Sequence, residues 1–306
     1  VQRIVYTCPF VPAEWIAAHG LQPARVVPRS DCTSAAIPPI EGLCTFAQAF
    51  AAQVISDSLS QGAVFTTACD QMRRVRDLVT DRTTAPTFLL NLPKTWQNSE
   101  CTQLYMDELR RLSRWLCTLG GRPPSGETLA ATMIDFDRHR HAMRTAGCKT
   151  QPSCPCHDGR VKLALVGGPI LAGEFRLFDL VERCGGRIML DATETGELSL
   201  PDTFDADHCR RDPLRELARA YFQSIPAVWK RPNTSLFDWL KQMCRNRNVQ
   251  GVICRRLVWC DLWHAEVHRL RDALQLPLLD LDVTDDGKSA SERTACRIQA
   301  FMETLQ

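Results

Sequence analysis

Three of the fifteen cysteines in this 306-residue chain stand where thiolate chemistry would be placed. Cys44 closes Glu41-Gly42-Leu43-Cys44, just ahead of a helical pattern at 46–56. Cys69 follows an apolar, strand-like run at 63–67 and precedes a helical pattern at 71–79. Cys260 follows a similar run at 249–257 and precedes a helical pattern at 263–274. Free N–H groups and the macrodipole at a helix start favour a thiolate and stabilise an anionic cluster. Thiolates from separate loops can converge on one iron–sulfur cluster, and three of them leave one iron without a protein ligand. Cys8, at the end of the run 4–7, is a further candidate by the same logic. Cys254 lies inside a strand, and Cys184, Cys244 and Cys296 lie in helical patterns, where a thiol reads as a small core residue.

Other groups carry chemistry less specifically. Cys148, Cys154, Cys156 and His157 put four soft ligands within ten residues, a possible second metal site for zinc or an auxiliary cluster, or else an unliganded linker. Asp191 and Glu194 follow a strand at 187–190. They read either as catalytic groups handling substrate or a proton, or as a turn and helix cap. Gly167-Gly168-Pro169 would let a phosphate approach the backbone or simply make a tight turn. Arg255 and Arg256 would pair with a phosphate or with a nearby acid. His264 and His268 are four apart, but Ala265 stands where a zincin has its glutamate, and His139 and His141 point to different sides of a helix.

These residues need a scaffold that brings distant loops together. Hydrophobic side chains make up 44% and charged ones 24%, which excludes a disordered chain. A net charge of +2 with no dense basic stripe excludes nucleic acid as a partner. No apolar run approaches the roughly 20 residues of a bilayer-spanning helix, so no membrane association is expected. The first twenty residues carry no charged stretch leading into an apolar one, so a cytoplasmic location with reduced thiols is expected. Strands at 161–166, 187–190, 249–257 and 276–283 alternate with helices at 177–184, 212–223, 235–246, 263–274 and 289–305. The first half repeats the theme with strands at 4–7, 24–28, 63–67 and 87–90, then two long helices at 99–119 and 127–146. This is the pattern of an α/β fold: two doubly wound, mostly parallel sheets with extra helices. An N-terminal domain at 1–147, a Cys- and Pro-containing linker at 148–160 and a C-terminal domain at 161–306 are expected. Ligands of such sheets sit beyond the carboxyl ends of the strands, so function is expected where those ends face each other.

The residues around the cysteines resemble a known family. Tyr6-Thr7-Cys8-Pro9-Phe10-Val11-Pro12-Ala13-Glu14-Trp15-Ile16 with Ala18-His19-Gly20, Gly42-Leu43-Cys44-Thr45-Phe46-Ala47, Thr67-Ala68-Cys69-Asp70, Leu92-Pro93 and Val258-Trp259-Cys260-Asp261 are similar, in order, to segments of the 2-hydroxyacyl-CoA dehydratase and benzoyl-CoA reductase subunit family. The resemblance implies two Rossmann-like domains with a [4Fe-4S] cluster between them, held by Cys44, Cys69 and Cys260. It implies a lyase of anaerobic radical chemistry acting on an acyl-CoA. One low-potential electron makes a ketyl, which expels the 2-hydroxyl to give a 2-enoyl-CoA. The implied partners are an ATP-dependent iron–sulfur activator protein and a homologous second subunit, in a heterodimer or a homodimer. A benzoyl-CoA-reductase-like enzyme, a reductase with a double-cubane cluster and a non-catalytic cluster-carrying subunit are the alternatives. The chain is shorter than expected of the family's catalytic subunits, and the composition of the 148–157 segment is unlike that of the family.

Overall fold

The computed structural model describes residues 2–29, 40–57, 60–147, 159–283 and 288–305. The first sheet is built from β1 (Arg3–Tyr6), β2 (Gln22–Arg25), β3 (Ser60–Thr66) and β4 (Thr87–Leu90), in the order β2-β1-β3-β4. The second contains β5 (Val161–Gly167), β6 (Gly186–Thr193), β7 (Gly251–Leu257) and β8 (Leu278–Val283), in the order β6-β5-β7-β8. Every pairing is parallel. The expected α/β architecture of two parallel sheets is present. In both sheets the order reverses direction beside the first strand, between β1 and β3 and between β5 and β7. That is where a parallel sheet opens a crevice at its carboxyl edge.

The strands are short because each is an apolar run cut off by polar or small residues. β7 is buried along its whole length, as a central strand covered on both faces must be. The helices are α1 (Ala13–Ala18), α2 (Thr45–Ser56), α3 (Asp70–Thr80), α4 (Ser99–Thr118) and α5 (Gly126–Gly147) in the first half. Then come α6 (Arg176–Arg183), α7 (Ala206–Arg211), α8 (Pro213–Ala218), α9 (Thr234–Asn246), α10 (Asp261–His264), α11 (Val267–Leu274) and α12 (Lys288–Glu303). Asn98 caps α4 by accepting from the Cys101 N–H at 2.9 Å. Asp212 caps α8, with Pro213 in the first turn.

Two helices expected to run unbroken are interrupted. The 212–223 pattern is α8 followed by a π-helical turn at Arg219–Gln223, where Ser224 Oγ donates to the Arg219 carbonyl at 2.9 Å. The 263–274 pattern is α10 and α11, separated so that Glu266 turns inward, 3% exposed, and pairs with Arg269 at 2.7 Å. Helix α7 has no counterpart in the sequence reading. Cys296, read as core, is exposed on α12. The Cys148–His157 group lies outside the described residues.

The halves share a core. Phe204, Leu217, Tyr221, Phe222 and Trp229, which follow β6 in sequence, pack with Ile4, Phe10, Tyr105 and Leu109 around the first sheet. Buried Glu14 ties the same region together, pairing with Arg140 and accepting from Tyr221 Oη at 2.6 Å. Lys230, fully buried, donates from Nζ to the carbonyls of Phe222 and, at 2.7 Å, Ile225. Its ammonium lies over the rings of Phe10, Trp96 and Phe222 at 5.1–5.5 Å. Among the described residues no carboxylate pairs with it, and burial drives its pKa from 10.5 down to about 7.

From pH 7 to pH 9 the unfolded chain therefore holds a proton on Lys230 that the folded chain gives up, so this group makes stability rise with pH. The expected slope approaches about 1.4 kcal/mol per pH unit. Urea midpoints measured across that range should rise for the wild type relative to Lys230→Met; parallel curves would mean that Lys230 keeps its ordinary pKa.

Candidate functional site

All three sequence-singled cysteines occupy the N-cap positions of helices that follow strands or loops at the carboxyl edges. Cys44 caps α2, Cys69 caps α3 and Cys260 caps α10. Each adopts a non-helical backbone there, which turns the chain from loop into helix. Gln71 pins the first two loops to each other. Its side chain accepts from the Cys44 N–H at 3.1 Å and donates to the Gly42 carbonyl at 3.2 Å. Cys260 enters from the other half and packs against the cluster that contains Leu43, Cys44, Leu171 and Leu257.

The three thiols are close enough to sense one another. Burial pushes Cys69 up to about 12, and the charge of Cys44 adds to the shift. Cys260 is also pushed up to about 12, by burial and then by Glu194, Cys69 and Cys44. The Cys44 thiol is raised by burial, against the pull of the Ala47 and Phe46 N–H groups. Comparable N–H groups, of Gln71 and Met72 for Cys69 and of Trp263 for Cys260, act the same way. The protein thus keeps three neutral thiols facing helix starts that would welcome negative charge. Among the described residues, no three His, Cys, Asp or Glu side chains are arranged to hold a single metal ion.

Glu194 is the carboxylate felt by all three thiols and by Cys8. It follows β6, and its Oε1 accepts from Trp263 Nε1 at 2.9 Å. Burial raises its pKa, opposed by that hydrogen bond and by Arg25. Arg25 comes from the end of β2 and donates to Thr7 O at 3.1 Å, Ser199 Oγ at 2.9 Å and the Glu194 carbonyl at 2.6 Å. Cys8 and Glu194 line one small cavity of about 30 Å³, with Phe10, Ala68, Ile225 and Trp229 among its walls. That volume holds a water molecule or two.

The other candidates make the following contacts. Asp191 accepts from the Thr193 N–H at 3.1 Å and Thr193 Oγ1 at 2.7 Å, folding the turn in which Glu194 sits. Arg255 pairs with Glu174 and donates to Pro169 O at 2.9 Å. Arg256 pairs with Asp280 at 2.8 Å and Asp282 at 2.6 Å. Gly167 has φ +148°, and a Cβ there would sit 1.8 Å from the Arg255 carbonyl oxygen, so the glycine is required by the neighbouring strand. His264 ends α10 while His268 lies in α11, both exposed. Sequence reasoning missed Arg25 and Trp263. Neither has a motif, and only the packing of the two halves gives them partners.

The family described as 2-hydroxyglutaryl-CoA dehydratase, D-component, matches residues 8–157 and 148–305. The chain belongs to that family. Both halves match, so the cysteine loops of each lie within the matched residues. No curated protein matches the chain. Among solved structures, a Mn²⁺ complex of the SBP FpvC from Pseudomonas aeruginosa is 11% identical, covering 100% of this chain and 99% of that one at a TM-score of 0.29. The laminin-binding adhesin Lmb of Streptococcus agalactiae, in a mutant form, is 9% identical with full coverage of both chains and a TM-score of 0.27. A periplasmic metal-binding protein from Candidatus Liberibacter asiaticus, as a Mn-bound point mutant, is 8% identical with full coverage of both and a TM-score of 0.28. Likeness this slight says nothing about the fold or ligands of a dehydratase-family chain. Among the described residues, no helix is long and apolar enough to cross a membrane.

Two outcomes follow from this geometry. In metal-free protein at pH 8, iodoacetamide should alkylate exposed Cys296 ahead of Cys44, Cys69 and Cys260, because the thiols of these three stay protonated and buried. Peptide mass spectrometry reads the order; early labelling of the three would contradict their burial. Gly167→Ala should yield unfolded or insoluble protein, whereas Gly168→Ala, whose Cβ would meet Trp263 at an ordinary 3.5 Å, should fold with a melting temperature within a few degrees of wild type.

Proposed function

We propose that this chain is the iron–sulfur subunit of a 2-hydroxyacyl-CoA dehydratase-type lyase, with Cys44, Cys69 and Cys260 as ligands of a [4Fe-4S] cluster. The observation that carries the reading is the convergence of three N-cap thiols from both halves of a chain of this family. The donor set fits a cluster rather than one ion. A cluster takes each thiolate on a different iron, so its ligands need not crowd a single point as they would around zinc. A further sign of fit is Arg255, fully buried within electrostatic reach of Cys44, whose Nε has no acceptor among the described residues. A buried donor without a partner suits a neighbouring anion.

When bound, the cluster supplies low-potential electron transfer for the ketyl dehydration of a 2-hydroxyacyl-CoA to a 2-enoyl-CoA. The chain's own residues do the rest. Cys44, Cys69 and Cys260 give up their protons on ligation, and the helix starts behind them offset the negative charge. Leu43, Leu171 and Leu257 keep water from the Cys44 side. Arg25 holds the Glu194 loop against the end of β2. The electron would come from an ATP-dependent iron–sulfur activator protein in the cytoplasm, and a homologous second subunit would complete the enzyme in a heterodimer or homodimer.

One observation favours a second reading. The cavity beside Glu194, about 30 Å³, has room for a water or two and not for an acyl chain, which suits a cluster-carrying subunit that supports a substrate-binding homologue. A benzoyl-CoA-reductase-like or double-cubane reductase has no such observation behind it.

Iron and acid-labile sulfide, with visible and EPR spectra, should be measured on strictly anaerobic protein and on Cys44→Ser, Cys69→Ser and Cys260→Ser. About four irons per chain, lost in each variant, is the expected result, and about eight would favour the double-cubane branch. A colourless wild type after reconstitution with iron and sulfide would sink the proposal.

A further inference from the structure

Of the three N-cap thiols, Cys44 is the one shut in: it is 7% exposed, whereas Cys69 and Cys260 are half-buried. It belongs to the apolar layer of the first half, with Leu43, Phe46 and Ala47 at the start of α2. Among the described residues, two buried members of that layer come from the second half, Leu257 and Leu171. Leu257 ends β7, a strand paired on both sides, and cannot leave without disturbing the sheet. Leu171, 2% exposed, stands instead on the connection between β5 and α6. Of these two covers, Leu171 is the one that a loop movement can lift.

Side chains hold this loop where a sheet holds Leu257. Glu174 Oε2 accepts from the Leu171 N–H at 2.7 Å and from Arg255 Nη2. Arg255, 0% exposed in β7, also donates to Pro169 O at 2.9 Å, so one guanidinium grips the loop on either side of Leu171. The Ile170 N–H donates to Thr195 Oγ1 at 3.2 Å, and the Ala172 N–H crosses to Pro28 O of the first half at 2.9 Å. An ordinary ion pair fastening a loop to its own sheet would account for Arg255 and Glu174. It would not account for Leu171, whose side chain packs into the core of the other half.

We propose that Leu171 is a gate over the Cys44 thiol, and that Glu174, held by Arg255, is the positioning residue that keeps it shut. The loop 169–174 opens as a unit, breaking the Ala172 to Pro28 crossing and withdrawing Leu171 from the first half. Small thiol reagents reach Cys44 through that opening, as do iron and sulfide during assembly on the three-cysteine reading. The inference deepens that reading by naming what regulates access to the site, and its test needs no metal.

The metal-free full chain is alkylated with iodoacetamide at pH 8 as wild type, Leu171→Val, Leu171→Ala and Glu174→Gln. Near- and far-UV circular dichroism establish that each is folded, and peptide mass spectrometry gives the rate at each cysteine. Cys44 should label at least about tenfold faster in Leu171→Ala and Glu174→Gln than in the wild type, and about threefold faster in Leu171→Val. Cys69 and Cys260 should change by less than about twofold, and Cys244 and Cys254, buried deep in the second half, should stay unlabelled. Leu171→Val, one methylene smaller, decides the question where the larger changes do not fold, as when Glu174→Gln leaves Arg255 buried without its partner. An unchanged Cys44 rate in the folded Leu171 variants would overturn the proposal. So would a rise shared equally by Cys69, Cys244 and Cys254, because that marks a general loosening of the fold. Iron uptake by the wild type is measured apart: a chain that binds none brings down the three-cysteine reading, while the labelling rates still decide the gate.

Discussion

The guanidinium of Arg25 reaches from the end of β2 across to the other half of the chain, donating to Thr7 O beside it and to Ser199 Oγ and Glu194 O opposite. The Ala172 N–H adds a second crossing, to Pro28 O at 2.9 Å. Parallel sheets take their ligands at the loops of the carboxyl edge, so two such sheets share a site only if those edges are held face to face. Arg25 supplies that hold at the place where it matters. Cys44 and Cys69 come from one edge, Cys260 and Glu194 from the other. On this exposed side chain each such bond contributes about 1 kcal/mol or less, modest beside the shared apolar core but directional in a way that core packing is not. The core of Phe204 to Trp229 against the first sheet supplies the bulk attraction, and Arg25 fixes the register.

Much of this was legible in the sequence, for a physical reason. A cysteine between the end of an apolar strand run and the start of a helical pattern is, in a parallel sheet, at the carboxyl edge by construction. The N-cap placement of Cys44, Cys69 and Cys260 was therefore readable from position, and the family segments around them pointed to the same three. The strands were equally legible, since short apolar runs between turn residues have few other uses. What stayed hidden depends on contacts between residues far apart in sequence. Nothing in 212–223 announces a π-helical turn, whose first carbonyl is taken by Ser224 and whose end is held by buried Lys230 through the Phe222 and Ile225 carbonyls. The break after His264 serves Glu266, whose inward carboxylate needs Arg269 and, at 3.8 Å, Arg231. Asp191 and Glu194 looked alike as acids at a strand exit. Only the turn shows that one folds back on its own backbone while the other reaches across to Trp263.

The buried polar groups differ in how they are met. In the shared core Glu14 is satisfied by Arg140 and Tyr221, and the Tyr105 hydroxyl by Phe10 O at 2.9 Å. Among the described residues, unpartnered buried atoms occur at Arg76, Asn233 and Ser235 and also beside the cysteines. Arg255 Nε has no acceptor among the described residues, Glu194 uses one oxygen of two, and three thiols face helix N–H groups while remaining protonated. Incomplete polar groups are costly in a protein interior and are rarely left so without an occupant to complete them.

The raised thiols sharpen that contrast. Desolvation makes a lone thiolate expensive here, which at first sight argues against any metal. The same desolvation disfavours charge only while it is concentrated on one sulfur. Under the proposed ligation each thiolate would share its charge with a cationic centre, and the helix N–H groups would then face an electron-rich ligand rather than a neutral thiol. Such a site would resist alkylation before assembly and would give up its protons together with metal uptake.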